Sequence, residues 1–455
     1  MKTKNRIARL SVGLVLSFVL LVGSVCLVST AAHAGTYTTK YVSISSGTPG
    51  VLYEPDVPVK SNVALLIMHN FSDSLQHVAA VQLAQRGYRI LAANTVYANN
   101  PSADEDWDRV LLQVRDAVKY LRNLSGVTKV ILIGHSSGAP MMATYQSVAE
   151  NGPGVCQGPE KIVKCPDSFA GFPRADGLIL LDPVFGGMGV NTLCSIDPAL
   201  VSEENAQVVN PALDMFDPRN GFDPNGASYP EKFRRAFLAK QAQENEALIE
   251  EALKRLEMIK AGKGRYADDE PFIVPAARPT VIKLWRPDLH LLAHTRAMYT
   301  LLTKNGPVGP QIIRSVRVPS GTTRATGSYN DAGLTTSVRR FLSTFATRTT
   351  EGYDITADNI MGVDWQSSYG STPGNVEGVH VPLLILGMTG HYWIVSSEIA
   401  YEHAASADKT VAFVEGATHG ITECVPCRVN NNGQPFGDTV KAAFDYVALW
   451  LAPRF

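Results

Sequence analysis

The chain has 455 residues, enough for one large domain or for two or three of average size. Hydrophobic residues make up 45% of it and charged residues 18%, which excludes a disordered or fibrous protein and indicates a globular one with a sizeable core. The 41 basic and 42 acidic residues give a formal net charge of −1, so binding to nucleic acid through a general positive field is not expected.

The first 34 residues have the pattern of a secretory signal peptide. Four basic residues precede an apolar stretch over 10–28 and the small-residue site Ala32-His33-Ala34, so cleavage is predicted after Ala34. The alternative is an uncleaved membrane anchor, because the apolar stretch is nearly long enough to span a bilayer. The leader carries four basic and no acidic residues, so cleavage leaves 421 residues with a net charge of −5. The prediction is an exported protein, periplasmic or extracellular, with no stable membrane span.

Strand and helix patterns alternate from residue 35 to residue 182. Continuous apolar runs of strand length, typical of strands buried on both faces of a sheet, lie at 63–68, 88–93, 129–133 and 177–182. Helices are predicted between them at about 73–85, 104–124 and 137–149. The alternation predicts an α/β fold with a mostly parallel central sheet flanked by helices.

The pattern changes after residue 182 and resumes near residue 379. Asp-Pro and Asn-Gly turns, a long helix over about 231–261 and an aperiodic Ser/Thr/Arg-rich region occupy the stretch between. Beyond it, strands and helices are predicted at 382–387, 396–405, 410–414 and 438–451. The simplest organisation is one sheet domain formed by 35–182 and 379–455. A large, mainly helical and irregular insertion, 183–378, would cap it.

Five cysteines remain after removal of the leader, and disulfides are expected in an exported protein. Cys156 and Cys165 flank a Gly/Pro-rich loop and are the first predicted pair. Cys194 is predicted to pair with Cys424 or Cys427, or the latter two with each other. The C-x-x-C spacing of that last pair also occurs in zinc and redox sites. No second such pair or matching His pair supports zinc, and the surroundings are not thioredoxin-like, so no metal is predicted.

The pentapeptide Gly134-His135-Ser136-Ser137-Gly138 has the G-x-S-x-G pattern and lies between a predicted buried strand and a predicted helix. A sharp strand-to-helix turn of small residues would hold the Ser136 hydroxyl above the sheet, where the helix N-terminus favours developing negative charge. Ser136 is therefore the predicted nucleophile. The alternative is an ordinary glycine-rich turn without a catalytic role.

Three segments together resemble the α/β-hydrolase superfamily: the pentapeptide, His69-Asn70-Phe71 and Gly416-Ala417-Thr418-His419-Gly420. The resemblance covers 37–182 and 379–455, and the insertion lies where that superfamily often carries its cap. It implies the α/β-hydrolase fold and a Ser–His–acid hydrolase that uses neither a cofactor nor a metal. The arrangement of the acid is similar to that in serine esterases and platelet-activating-factor acetylhydrolases.

His419 is the predicted general base, because it stands in a Gly-flanked loop after the last strand and follows the nucleophile and the candidate acids in chain order. Superfamily members often have Asp shortly after the strand at 382–387, but the loop Met388-Thr389-Gly390-His391-Tyr392 has no carboxylate. Two acids stay open: Asp182, at the end of the preceding core strand, and Glu398, at the start of the following helix. Either would orient His419 and stabilise its imidazolium.

An oxyanion hole needs two preorganised N–H donors. The backbone N–H of Ser137, directly after the nucleophile, is the first predicted donor. The resemblance implies that the second comes from the loop after Met68. Phe71 is the predicted donor in that loop, and Met68 or a neighbour is the alternative.

These residues predict an exported serine hydrolase that cleaves a carboxylic ester through an acyl-enzyme, on a small-molecule or lipid-like substrate. An amidase or thioesterase would use the same site. A catalytically silent hydrolase fold used for binding is the alternative from another class, because the acid is not settled. A cofactor-dependent oxidoreductase has little support, since the turn lacks G-x-G-x-x-G spacing. No nucleic-acid partner is predicted, and the sequence does not define an oligomeric state.

Overall fold

The computed structural model describes residues 35–44, 48–100, 102–202, 208–275, 277, 282–324 and 333–455. The predicted signal peptide and its cleavage site lie outside these residues. Within the described ranges, no helix is both long and apolar enough to cross a bilayer.

On either side of the insertion the elements follow one another in the predicted order, with bounds that differ by a few residues, whereas the described part of the insertion, predicted to be mainly helical and irregular, also contains strands. The strands are β1 (Tyr37–Ile44), β2 (Thr48–Pro55), β3 (Val63–His69), β4 (Arg89–Asn94), β5 (Lys129–His135), β6 (Gly177–Leu181), β7 (Pro271–Pro275), β8 (His294–Thr303), β9 (Gly306–Arg314), β10 (Gly333–Ser337), β11 (Arg348–Ile355), β12 (Ile360–Asp364), β13 (Leu383–Met388) and β14 (Lys409–Val414). The main helices are α1 (Val78–Gln85), α2 (Trp107–Arg122), α3 (Gly138–Asn151), α4 (Gly187–Leu193), α5 (Glu231–Lys260), α6 (Thr372–Val376), α7 (Ile394–His403) and α8 (Thr439–Leu451).

A ten-stranded sheet forms the centre of the molecule, in the order β1-β2-β4-β3-β5-β6-β13-β14-β8-β9. The strands from β4 to β8 in that order are parallel to their neighbours, and antiparallel strands extend the sheet at both edges. Every residue of β3, β6 and β13 is buried. Apolar clusters around α2, α3 and α7 on one face, and around α1 and α8 on the other, cover these strands, as their continuous apolar sequences require.

The order of the strands reverses direction between β3 and β5. From β3 the chain passes through α1 to β4 on one side, whereas β5 and β6 lie on the other side. At such a switch point the connections leave in opposite directions, and a crevice opens at the carboxyl ends of the two strands. Those ends carry His69 on β3 and the Ser136 turn after β5. The topology therefore places the two loops singled out in the sequence next to each other.

Part of the segment predicted to form the cap, 183–378, belongs to the central sheet instead. Within it, β8 and β9 extend the central sheet, and β8 pairs in parallel with β14, with Thr300 opposite Ala412. Residues 294–314 thus belong to the sheet domain. Both strands lie near the sheet edge and most of their residues are not buried, so they lack the apolar run by which inner strands are recognised.

The remainder of the insertion packs around α5, which is 30 residues long. Ile249, Leu256 and Ile259 on its buried face contact a cluster that includes Phe272 of β7 and Phe345 of a neighbouring π-helical turn. β7 pairs with β10, and β11 pairs with β12, in two small antiparallel sheets. This part of the insertion has an apolar core of its own.

Two disulfides link cysteines of the described residues. The predicted pair Cys156–Cys165 is confirmed, and among the alternatives for the others the structure contains Cys424–Cys427. Cys194 remains a buried thiol, with its Sγ 3.4 Å from Tyr353 Oη. The Cys424–Cys427 disulfide lies in the segment after β14, which also carries His419.

Candidate active site

Ser136 lies in the turn between β5 and α3, with a φ of +58°. Non-glycine residues adopt this left-handed conformation rarely, and when they do the strain often marks a functional turn. The Ser136 N–H donates to the Leu181 carbonyl at the end of β6, at 3.0 Å. This bond fixes the turn above the sheet, and the Ser136 side chain stays partly exposed.

Glycine is required at both ends of the pentapeptide because the turn is tight. A Cβ on Gly134 would lie 2.5 Å from the Gly138 carbonyl oxygen and 2.6 Å from the Cα of Ala139. A Cβ on Gly138 would lie 2.7 Å from the carbonyl oxygen of Met68. These neighbours are backbone atoms, which cannot rotate away as side chains do. The sequence pattern around Ser136 is thus a steric consequence of the close approach of β3, β5 and α3.

Gly134→Ala is therefore expected to displace the turn. We expect the free energy of unfolding to fall by about 1–3 kcal/mol, as for other overpacked sites, and the ester hydrolysis predicted from the sequence to slow about 100-fold. Urea denaturation and p-nitrophenyl ester hydrolysis measure the two effects. Gly154→Ala is the control, because a Cβ there would meet nothing within 4 Å. Equal stability and activity of the two variants would contradict the steric argument.

His419 stands in the loop after β14, and its Nδ1 lies 2.6 Å from Oδ2 of Asp182. Asp182 directly follows β6, is completely buried and has a φ of +43°. Burial by itself would raise the pKa of Asp182, but the imidazoles of His391 and His419 outweigh it and hold the pKa of this carboxyl well below its usual range. An ionised Asp182 accepts the Nδ1 proton of His419, which leaves Nε2 of His419 unprotonated.

Glu398, the other candidate acid, is fully buried on α7, and its carboxylate contacts the backbone of β8. Its carboxylate accepts the backbone N–H of Arg296, at 2.9 and 3.0 Å, and that of Ala297, at 2.9 Å. These bonds satisfy a buried charge at the start of β8. The structure therefore brings Asp182 to His419 and assigns the Glu398 carboxylate to the backbone of the insertion.

Two further histidines hold the backbone of His419. The His135 ring stacks on the His419 ring with centroids 4.6 Å apart, and His135 Nε2 lies 2.7 Å from the His419 carbonyl oxygen. His77 Nδ1 accepts the Ala79 N–H, so its Nε2 carries the proton and donates to His135 Nδ1, at 3.0 Å. The Nε2–H of His135 is then the donor to His419. Burial lowers the pKa of His77 to about 4 and that of His135 well below its usual value, so this chain of bonds is neutral.

The His69 side chain accepts hydrogen bonds from the backbone of the loop that was predicted to supply the oxyanion donor. The N–H groups of Phe71 and Ser72 both donate to His69 Nδ1, at 3.2 and 3.0 Å, and His69 Nε2 donates to the Ser137 hydroxyl at 3.0 Å. The Phe71 N–H is thus bonded to His69 Nδ1 here, and its role as an oxyanion donor stays a prediction. Ser137 lies at the N-terminus of α3, where backbone N–H groups have no intrahelical partner.

A buried carboxylate anchors the same loop. Asn70 Nδ2 lies 2.8 Å from both oxygens of Glu105, and Asn70 Oδ1 accepts the Ser137 hydroxyl at 2.6 Å. Glu105 is fully buried, and burial raises its pKa to about 8. Glu105, Asn70, Ser137 and His69 thus form one buried hydrogen-bonded group, which fixes the loop after β3 against the turn after β5.

Glu105→Gln is expected to make the stability of the protein less dependent on pH between pH 5 and pH 8. The folded-state pKa of Glu105, about 8, lies above the ordinary value of 4.5. The stability from this group is therefore complete below pH 4.5 and is lost as the pH rises through 8. Between pH 5 and pH 8 the free energy of unfolding of wild type should fall by up to about 4 kcal/mol relative to that of Glu105→Gln, which lacks the titrating group. Urea denaturation at both pH values measures the effect, and Glu351→Gln, at an exposed position, is the control. An equal change in the free energy of unfolding of wild type and Glu105→Gln between the two pH values would contradict the prediction.

Sequence reasoning missed three groups at this site: His77, His391 and Glu105. Only His391 stood at an informative position, in the loop where superfamily members often carry the acid. Asp182, His391 and His419 are the only described residues that place three ligand-type atoms within 4.8 Å of one another. Both Nδ1 atoms face the Asp182 carboxylate, at 2.6 and 2.8 Å. Charge-assisted contacts therefore account for the cluster.

Comparison with known proteins places the chain in a family. A sequence model described as the alpha/beta hydrolase family matches residues 68–425, more than half of the chain. The chain belongs to the alpha/beta hydrolase family. The superfamily resemblance drawn from the three motifs is thereby confirmed, and no curated protein sequence matches this alpha/beta hydrolase.

Similar solved structures share little sequence with this alpha/beta hydrolase. One is a siderophore hydrolase, EstB, from Aspergillus fumigatus, with 12% identity, a TM-score of 0.41 and coverage of 92% of this chain and 98% of that chain. Another is carboxyl esterase 2 (TmelEST2) from the mycorrhizal fungus Tuber melanosporum, with 10% identity, a TM-score of 0.39 and coverage of 93% and 89%. Est1E from Butyrivibrio proteoclasticus has 12% identity, a TM-score of 0.36 and coverage of 91% and 98%.

Proposed function

We propose that this alpha/beta hydrolase is an exported serine esterase that cleaves a carboxylic ester through an acyl-enzyme. Ser136 is the nucleophile, His419 the general base and Asp182 the acid that orients it. The observation that carries the proposal is the 2.6 Å contact between His419 Nδ1 and the buried Asp182 carboxylate. It selects the tautomer of His419 whose Nε2 can accept a proton.

In the proposed reaction, Ser136 Oγ attacks the ester carbonyl carbon while His419 Nε2 takes its proton. The tetrahedral intermediate collapses, the bond to the alkoxy oxygen breaks, and His419 returns the proton to the leaving alcohol. Water, deprotonated by the same imidazole, then attacks the acyl-enzyme and releases the carboxylic acid and Ser136. The ionised Asp182 stabilises the His419 imidazolium in both halves of the reaction.

The oxyanion is proposed to bind at the N-terminus of α3. The Ser137 N–H directly follows the nucleophile and belongs to a helix start, where backbone N–H groups favour negative charge. The second proposed donor is in the loop after β3. The Phe71 N–H qualifies after exchanging its bond to His69 Nδ1 for one to the oxyanion, and catalytic hydrogen bonds of this kind often form only with substrate bound.

The surroundings of the base support an ester with an apolar portion. The buried Trp393 ring stands edge-on to His419, with centroids 4.8 Å apart and planes at 90°. The His419 side chain is 32% exposed, so a substrate can reach it. Export is proposed from the N-terminal sequence pattern, and the two disulfides are compatible with it.

A fluorophosphonate probe tests the proposal directly, because it phosphonylates only activated serines. We expect the purified protein to be labelled, and mass spectrometry of the digest to place the adduct on Ser136. Short p-nitrophenyl esters should be hydrolysed, and prior labelling should block their hydrolysis. Absence of labelling, or an adduct on Ser137, would refute the proposed nucleophile. Turnover of the matching anilides or thioesters at a higher kcat/KM would reassign the substrate class.

A further inference from the structure

A second imidazole contacts the proposed catalytic acid. His391 follows β13, and its Nδ1 lies 2.8 Å from Oδ2 of Asp182, the oxygen that also faces His419 Nδ1 at 2.6 Å. The His391 and His419 rings are stacked, with centroids 4.6 Å apart and planes at 26°. The loop in which superfamily members often place the acid therefore carries a histidine here, and that histidine contacts the acid supplied by β6.

We propose that His391 is a positioning residue, which holds the Asp182 carboxylate in the orientation that His419 requires. The inference rests on the proposed function of Ser136, His419 and Asp182. His391 would not exchange a proton with the substrate; it would act through Asp182 alone.

The Asp182 carboxylate has few other constraints. Its backbone N–H donates to the Leu386 carbonyl on β13, at 2.7 Å, which fixes the main chain but not the side chain. Among the described residues, Oδ1 has no hydrogen-bond partner. The two imidazoles are thus the groups that determine how the buried carboxylate is turned. A buried charge with a single donor is expensive, and a second N–H lowers that cost.

His391 is itself firmly placed. Its N–H donates to the Met388 carbonyl at 3.1 Å, and the Ser315 hydroxyl donates to its carbonyl oxygen at 3.2 Å. The ring also contacts Tyr392 and stands edge-on to Trp393, with centroid separations of 4.0 and 4.8 Å. Burial lowers the pKa of His391, and the Asp182 carboxylate opposes that shift. The lowered pKa suits the site, because a positive charge on His391 would oppose the His419 imidazolium stacked on it.

The contact between His391 and Asp182 is short but poorly aligned. Nδ1 of His391 is buried and has no well-aligned hydrogen bond in the described structure. The bond between Asp182 and His419 is made, and a small rotation of the carboxylate toward His391 would complete the second one. His391 therefore limits the range over which Asp182 can turn and keeps Oδ2 between the two Nδ1 atoms. Removal of the ring should release the carboxylate and misalign His419.

The pair His391→Leu and His391→Asn tests the proposal, because asparagine keeps an N–H close to the position of Nδ1 and leucine does not. We expect His391→Leu to lower kcat for a p-nitrophenyl ester about 10- to 100-fold, the cost of a small misplacement, with KM little changed. His391→Asn should recover most of the loss, and the rate of fluorophosphonate labelling should follow kcat. The exposed His380→Leu is the control and should retain wild-type kcat.

A spectroscopic measurement separates positioning from packing. The Nδ1 proton shared by His419 and Asp182 should give a downfield proton resonance in wild type and in His391→Asn, and the resonance should shift or disappear in His391→Leu. If the leucine variant does not fold, His391→Ala with added imidazole replaces it, and imidazole should restore kcat. Wild-type kcat in the leucine variant, or equal losses in the leucine and asparagine variants, would overturn the inference. In either case the wild-type protein would still be labelled at Ser136, whereas a failure of the proposed function would leave wild type unlabelled, so the two failures remain distinguishable.

Discussion

Ser136→Ala is expected to abolish ester hydrolysis, lowering kcat by about a million-fold. The alanine side chain has no oxygen to attack the carbonyl carbon, so no acyl-enzyme forms, and the remaining rate comes from binding and the oxyanion donors alone. The fold should persist, because the Ser136 hydroxyl makes no hydrogen bond to the part of the chain that the structure describes, and the bond from its backbone N–H to Leu181 holds the turn. Stopped assays with p-nitrophenyl acetate and fluorophosphonate labelling of equal amounts of folded protein measure the loss.

Ser137→Ala is the matched control for Ser136→Ala. Its hydroxyl belongs to the buried group formed with His69 and Asn70, so its loss should loosen the loop after β3 and lower kcat about 10- to 100-fold. Labelling of Ser136 should nevertheless continue. If the two variants retained equal activity, the assignment of the nucleophile would be wrong.

Asp182→Asn is expected to lower kcat by about 10⁴-fold with little change in the overall fold. The substitution removes the negative charge that stabilises the imidazolium. An amide nitrogen facing Nδ1 would also favour the His419 tautomer that carries its proton on Nε2, and this tautomer cannot accept the Ser136 proton. Steady-state kinetics at saturating ester, with circular dichroism as a check on folding, measure the effect. A loss of less than tenfold would exclude Asp182 as the acid.

Glu398→Gln separates catalysis from stability. Glutamine keeps one carbonyl oxygen for the N–H groups of Arg296 and Ala297, but the charge that strengthens these bonds is lost. We expect the free energy of unfolding to fall by about 1–3 kcal/mol and kcat per folded molecule to stay near that of wild type. A loss of activity as large as that of Asp182→Asn, without a loss of stability, would make Glu398 the acid.

The sequence was most informative where local sterics and chain order determine the answer. Ser136 is recognisable because a strand, two glycines and a helix leave one conformation for the turn, and His419 because it follows the last core strand. The choice between Asp182 and Glu398 needed the structure. Both lie at plausible positions in the chain, and the deciding contacts, with His419 and with the backbone of β8, join residues far apart in sequence.

Other features were beyond the reach of a single sequence for related reasons. β8 and β9 have no continuous apolar run, because edge strands of a sheet are partly exposed. The neutral chain from His77 through His135 to His419 follows from packing between three separate loops and helices. The sequence showed only that the loop after β13, which contains His391, has no carboxylate. The contact of His391 with Asp182 depends on the parallel pairing of β13 with β6.

Because β8 is hydrogen-bonded to β14, the insertion cannot be removed without disrupting the central sheet. Excising 183–378 would remove the parallel neighbour of β14, leave β14 as an open edge strand, and remove the N–H groups that donate to the buried Glu398 carboxylate. Residues 294–314 would have to remain in any shortened or chimeric enzyme. Changes in the length and sequence of the insertion are thereby confined to the segments on either side of these two strands, where they leave the width of the sheet unchanged.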